Sequence, residues 1–160
     1  MIKVLFICLG NICRSPMAEA VFADLVARAN LSDVIAVDSV GTAGYHIGEK
    51  PCPGTQNIFK THNLPYSGRA RQLTSSDLHT FDYLIALDSS NQSDVRTMLA
   101  REGIQKPVYR LLDFAENVDT DDVPDPYYVG NFERVYELVL AGCTGLLAHI
   151  KTAHADLCKK

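Results

Sequence analysis

Lys3-Val4-Leu5-Phe6-Ile7-Cys8-Leu9-Gly10-Asn11-Ile12-Cys13-Arg14-Ser15-Pro16 reads as a buried strand, a tight turn and the start of a helix. Residues 3–7 are a near-continuous apolar run, as parallel strands covered on both faces tend to be. Gly10 and Asn11 both tolerate positive φ, so they supply the turn. Ser15 followed by Pro16 predicts an N-cap and a first helical residue. Beyond them Ala18, Val21, Phe22, Leu25, Val26 and Ala29 recur at helical spacing, with Glu19, Asp24 and Arg28 on the opposite face.

The same alternation continues outward. Residues 34–38, 83–87 and 108–112 are further short runs rich in Val, Ile and Leu. Thr74 with Asp77 predicts a capping box before a short helix. Asn91 predicts the cap of a helix running to Ala100 and stopped at Gly103. Phe132, Val135, Tyr136, Val139, Leu140, Cys143, Leu146, Leu147 and Ile150 form a long stripe of helical period. Strands alternating with helices imply an open parallel α/β sheet with right-handed crossovers. With no repeat or linker, one domain over residues 1–160 is expected. In such sheets ligands bind at the carboxyl ends of the strands, where the loop from Cys8 to Ser15 lies.

Bulk properties exclude several classes. The chain has 160 residues, 47% apolar and 21% charged. At that size roughly 70% of the unfolded surface is buried on folding, so no staple is required. A net charge of −4 leaves no basic footprint for nucleic acid or an anionic membrane. The apolar N-terminus is too short for a signal sequence, and no run is long enough to span a bilayer. Cysteines 8, 13, 52, 143 and 158 are odd in number and lack framework spacing, which fits a reducing, cytoplasmic location. There is no Cys-x2-Cys pair, and His149 and His154 are five apart, so neither a metal nor another cofactor is expected.

The loop carries the chemistry. Cys8 and Arg14 are six positions apart, a weak signal alone, since most cytosolic cysteines are small buried hydrophobes. Placed in a strand-to-helix turn, the spacing gains meaning. The curled backbone aims successive N–H groups inward as an anion nest, and the helix adds its positive end. Arg14 offers a planar fork for two phosphate oxygens. Cysteines beside cations or helix N-termini are shifted towards thiolate, and the Ser15 hydroxyl adds a hydrogen bond. Such a sulfur attacks phosphorus and forms a phosphocysteine. Among the acidic residues 119–125, Asp119, Asp121 and Asp122 read as a solvated loop. Asp125 sits between Pro124 and Pro126 with Tyr127 and Tyr128 beside it. A rigid, aromatic-flanked carboxyl suits protonating a phenolate and then activating water.

With both segments in view, the chain resembles the low-molecular-weight protein tyrosine phosphatases. Residues 4–20 are similar to that family's N-terminal signature, and Asp125-Pro126-Tyr127-Tyr128 to its second one. Asp38-Ser39, Ala70-Arg71-Gln72 and Phe81-Asp82-Tyr83 extend the likeness over essentially the whole chain. The resemblance implies a flavodoxin-like sheet of four strands in the order 2-1-3-4, and metal-free catalysis without a cofactor. It implies Cys8 as nucleophile, Arg14 as transition-state binder and Asp125 as general acid and then base. Backbone amides of Leu9, Gly10, Asn11, Ile12, Cys13 and Arg14 would bind phosphate, sulfate or vanadate, with Asn11 and Ser15 as polar supports. Tyr45 and Tyr127 or Tyr128 would wall a crevice deep enough to favour phosphotyrosine proteins over phosphoserine. It implies Cys13 as a redox partner whose disulfide with Cys8 shields the nucleophile from over-oxidation. A monomer or weak dimer is expected.

The sequence departs from the family at one point: Ser67-Gly68 stand ahead of Arg69, where a histidine that supports the loop asparagine is common. Asn11 is then left to Ser39 or to water. Cys52, Cys143, Cys158 and the histidines, His46 among them, read as incidental. A thiol-dependent arsenate reductase would need two further mid-chain cysteines, and residues 53–142 have none. A non-catalytic phosphate- or phosphopeptide-binding module would have no use for both Cys8 and Asp125.

Overall fold

A computed structural model describes residues 1–159, with the side chains of Tyr128 and Val129 outside that description. Its centre is one four-stranded, all-parallel sheet in the order β2-β1-β3-β4. The strands are β1 (Ile2–Cys8), β2 (Ile35–Gly41), β3 (Tyr83–Ala86) and β4 (Val108–Arg110). The flavodoxin-like order is the one expected. The helices are α1 (Arg14–Arg28), α2 (Pro53–Thr61), α3 (Ser75–Thr80), α4 (Ser89–Arg101), α5 (Pro126–Val129) and α6 (Phe132–Ala153).

Alternation along β1 divides the core. Val4 and Phe6 face a cluster with Met17, Phe22 and the buried stripe of α6. Leu5 and Ile7 face a second cluster with Leu78, Val95 and Leu99 from α3 and α4. This two-sided burial explains why the strands read as unbroken apolar runs.

Several boundaries moved. β2 extends to Gly41, and β4 stops at Arg110 because residues Leu111–Phe114 tighten into a 3-10 turn. The capping box of Thr74 and Asp77 forms as expected. The cap of α4 is Asp88, whose carboxylate accepts from the Asn91 N–H, so Asn91 lies inside the helix. α1 begins at Arg14 with Cys13 at the cap, and Ser15 caps nothing. Its hydroxyl turns into the loop instead. α2 lies where no helix is expected above, although Pro53 in its first turn is a legible start signal.

Candidate active site

Parallel register puts the carboxyl ends of β1 and β3 side by side, with Ile7 opposite Ala86. The loop after β1 and the Leu87-Asp88 turn after β3 therefore share one edge. Cys8 ends β1 and is 3% exposed. Its sulfur lies 2.9 Å from Ser15 Oγ and accepts from the Asn11 N–H at 3.3 Å. The curl depends on Asn11, which has φ 58°. Gly10 keeps negative φ, and a Cβ there would lie 3.0 Å from the His46 ring, which would have to give by a few tenths of an ångström. Among the described residues, no carbonyl or side chain accepts from the N–H groups of Gly10, Ile12 or Cys13. Such groups are what an anion nest offers.

Arg14 is 3% exposed and held on three sides. Its Nη1 donates to Asp88 Oδ2 at 2.5 Å and to the Val123 carbonyl at 3.0 Å, and Nη2 reaches Asp125 Oδ2 at 3.4 Å. Burial opposes its charge, but Cys8, Asp88 and Asp125 outweigh that and hold it more firmly protonated than a free arginine. Asp88 is the residue sequence reasoning missed. Its signal was an aspartate at the carboxyl end of a strand, directly before a helix.

Asp125 caps α5, accepting from the Tyr127 N–H at 3.1 Å. Cys8, Arg14, Asp125, Tyr45, His46 and Tyr127 line one crevice. The structure thus brings the three expected catalytic side chains together with two of the expected walls. Tyr128, the other wall, lies outside the described side chains. His46, read as incidental, forms part of the rim and bonds Glu49 at 2.8 Å.

Asn11 is held by protein on every side. Its Oδ1 accepts from the Arg71 N–H at 3.0 Å, and its Nδ2 donates to Ser15 Oγ at 2.8 Å and Ser39 Oγ at 3.0 Å. Ser39 Oγ is thus one of its three partners.

Cys13 is not placed as expected. It forms a disulfide with Cys52, with Cα atoms 5.4 Å apart, while Cys8 stays a free thiol. Cys52 is therefore not incidental, and a chain expected to need no staple has one. A Cys13 sulfur bonded to Cys52 has no thiol to offer Cys8, so the expected Cys8–Cys13 pair is absent from this state. The reason is packing: Cys13 joins Ile12, Cys52 and Ala70 in a small cluster, whereas Cys8 belongs to the main core. The Cys52 N–H also donates to the Ile12 carbonyl at 2.6 Å. Cys143 is fully buried, and burial pushes its thiol far up, so it is inert.

Among the described residues, no three His, Cys, Asp or Glu side chains are grouped to hold a metal ion, and no helix is long and apolar enough to cross a membrane.

A family model described as low molecular weight phosphotyrosine protein phosphatase matches residues 3–156. The low molecular weight protein-tyrosine-phosphatase YfkJ of Bacillus subtilis is 50% identical over 152 residues, covering 94% of this chain and 97% of its own. PtpA of Staphylococcus aureus, of the same description, is 42% identical over 150 residues, with 94% of each chain covered. The crystal structure of YfkJ superposes with a TM-score of 0.92 at 49% identity, covering 96% of this chain and 97% of that one. The structure of a Drosophila arginine phosphatase superposes with a TM-score of 0.86 at 33% identity, covering 94% and 98%.

Proposed function

Because the chain belongs to the low molecular weight phosphotyrosine protein phosphatases, a family of metal-independent hydrolases, we propose that it hydrolyses phosphotyrosine in proteins, and small aryl phosphates, through a phosphocysteine. The observation that carries this reading is the convergence of the Cys8 sulfur, the Arg14 guanidinium and the Asp125 carboxyl on one crevice. The Cys8 thiolate attacks phosphorus, an S–P bond forms and the P–O bond to the phenol breaks. Asp125, protonated, gives its proton to the departing phenolate. Loop amides and Arg14 take the charge that develops on the phosphoryl oxygens. Asp125, now a carboxylate, accepts a proton from a water that attacks phosphorus. The S–P bond breaks, phosphate leaves and the thiolate returns.

The Cys13 role becomes conditional in this reading. Only after the Cys13–Cys52 bond is reduced does Cys13 have a thiol that could condense with a Cys8 sulfenate, releasing water.

The test is turnover of p-nitrophenyl phosphate in excess EDTA, with and without vanadate, followed by phosphotyrosine and phosphoarginine peptides. Vanadate-sensitive, EDTA-resistant turnover with preference for phosphotyrosine is expected. Preference for phosphoarginine would overturn the substrate assignment, and no turnover would favour a binding module. Cys8→Ser is expected to abolish turnover while phosphate still binds. Asp125→Asn should lose kcat heavily, and less so for substrates with good leaving groups. An equal loss for all leaving groups would remove Asp125 from the acid role.

A further inference from the structure

The segment Tyr66-Ser67-Gly68 is where the chain departs from its family pattern, and the structure fills that gap in an unexpected way. The Tyr66 hydroxyl donates to Glu19 Oε1 at 2.9 Å. A Cβ on residue 68 would lie 2.5 Å from the Tyr66 oxygen and 2.7 Å from the ring carbon that bears it. Glycine at 68 is therefore the space in which the Tyr66 ring sits.

Glu19 Oε1 also accepts from Ser39 Oγ at 2.6 Å. From there the donors point towards Glu19 as far as Asn11, whose amide donates both ways, to Ser39 and to Ser15. Ser39 has spent its proton on Glu19, so its oxygen accepts from Asn11 Nδ2. Asn11 cannot flip, because its Oδ1 faces the Arg71 N–H. Its amide therefore donates to Ser15 as well. That leaves the Ser15 proton to the Val40 carbonyl at 3.4 Å or the Cys8 sulfur at 2.9 Å, and a thiolate, which can only accept, takes the shorter contact. An ionised Glu19 is acceptor-only, and that fixes the polarity of the outer end.

We propose that Tyr66 is a positioning residue for the nucleophile: it holds Glu19 as an acceptor for Ser39, so that Ser39 stays an acceptor for Asn11 and Asn11 keeps the Ser15 hydroxyl against the Cys8 sulfur. This rests on the phosphatase reading above for its catalytic consequence, though not for its geometry. Burial raises the pKa of Glu19, and Asp38 of β2 adds to the rise. Ser39, Tyr66 and, from the loop before α3, Arg71 oppose it. Those are the charged and titratable groups that weigh most on it among the described residues. Burial and Glu19 itself push the Tyr66 phenol above its ordinary range, so Tyr66 stays a donor. Without Tyr66, Glu19 takes a proton more readily and no longer fixes Ser39 as an acceptor, so Asn11, still oriented by Arg71, loses a firm partner and holds Ser15 less closely against Cys8.

The test measures two pH profiles for each variant: alkylation of Cys8 by iodoacetamide, read on the Cys8 peptide by mass spectrometry, and kcat/KM for p-nitrophenyl phosphate. Tyr66→Phe is expected to move the acid limb of both upward by roughly half to one pH unit, with kcat about three- to tenfold lower and KM little changed. Exposed Ser67→Ala is expected to move neither limb. Made on top of Glu19→Gln, Tyr66→Phe should add nothing. If Tyr66→Phe fails to fold, Gly68→Ala, which displaces the same ring, replaces it with the same expected shift. Limbs identical to wild type would overturn the inference, as would an equal shift in the Glu19→Gln background. Should wild type alkylate but never turn over phosphate, the phosphatase reading fails, and the alkylation limb alone still decides the role of Tyr66.

Discussion

The loop between β1 and α1 is anchored on its two flanks by unlike chemistry. On one flank Asn11 is tied by three hydrogen bonds to Ser15, Ser39 and Arg71, with Glu19 and Tyr66 behind them. On the other a covalent bond joins Cys13 to Cys52, and the Thr55 hydroxyl donates to the Cys13 carbonyl at 3.0 Å. The first flank is indifferent to reductant and sensitive to protons. The second is the reverse. One loop is therefore held by a bond that answers to reductant and by a network that answers to protons.

The largest effect should come from the covalent flank. Closing a loop of sequence separation 39 is worth about 4 kcal/mol as an upper value on chain-entropy grounds. Dithiothreitol should lower the unfolding free energy of wild type by a large part of that, and leave Cys52→Ser unaffected. Equal sensitivity of both proteins, followed by chemical denaturation, would show that this bond contributes nothing.

Next comes Asn11→Ala, which strips the polar flank. It leaves buried partners unsatisfied and puts alanine at positive φ, so a loss of about 2–3 kcal/mol is expected. The loss should be the same with and without reductant. A loss that depends on reductant would mean the flanks are coupled.

Asp77→Asn should cost less, about 1 kcal/mol, since it weakens the Arg71 pair and half of the capping box. Burial opposes ionisation of Asp77, but Arg71 and Thr74 outweigh it and hold the carboxyl below its ordinary 3.8. A depressed carboxyl stabilises the fold above its unfolded value and loses that contribution as pH falls through the folded one. The stability gap between wild type and Asp77→Asn should therefore close on the acid side of 3.8.

The smallest effect has the opposite sign. Glu19 is raised from 4.5, chiefly by burial. Such a group favours the fold below its unfolded value and withdraws that support as pH rises through the folded one. Relative to Glu19→Gln, wild type should lose ground as pH climbs from 4.5. A difference that is flat with pH in thermal unfolding would place Glu19 outside the titrating set.

What the sequence disclosed, and what it withheld, follows the range of the interactions. β1, the turn and α1 were readable because period and turn chemistry are local. Cys8, Arg14 and Asp125 were readable because each carries its context within a few residues. Asp88 was not, since its partner Arg14 lies 74 positions away and only the register of β1 on β3 joins them. Cys13 was assigned to its near neighbour in sequence, whereas packing gave it Cys52. Gly68 was read as a missing support. That a ring two residues earlier would occupy its space depends on a side-chain direction that no periodicity reports.

Asp88 has one more consequence. By gripping Arg14 from the end of β3, it fixes a long side chain before any anion arrives. Immobilising an arginine forfeits about 1.5–2 kcal/mol of rotamer freedom, and here that loss is incurred when the chain folds. In the proposed reaction a phosphate entering the crevice would meet a fork already placed, and would need only to draw it from one set of oxygens to another. The ordering of the cation is thus part of folding.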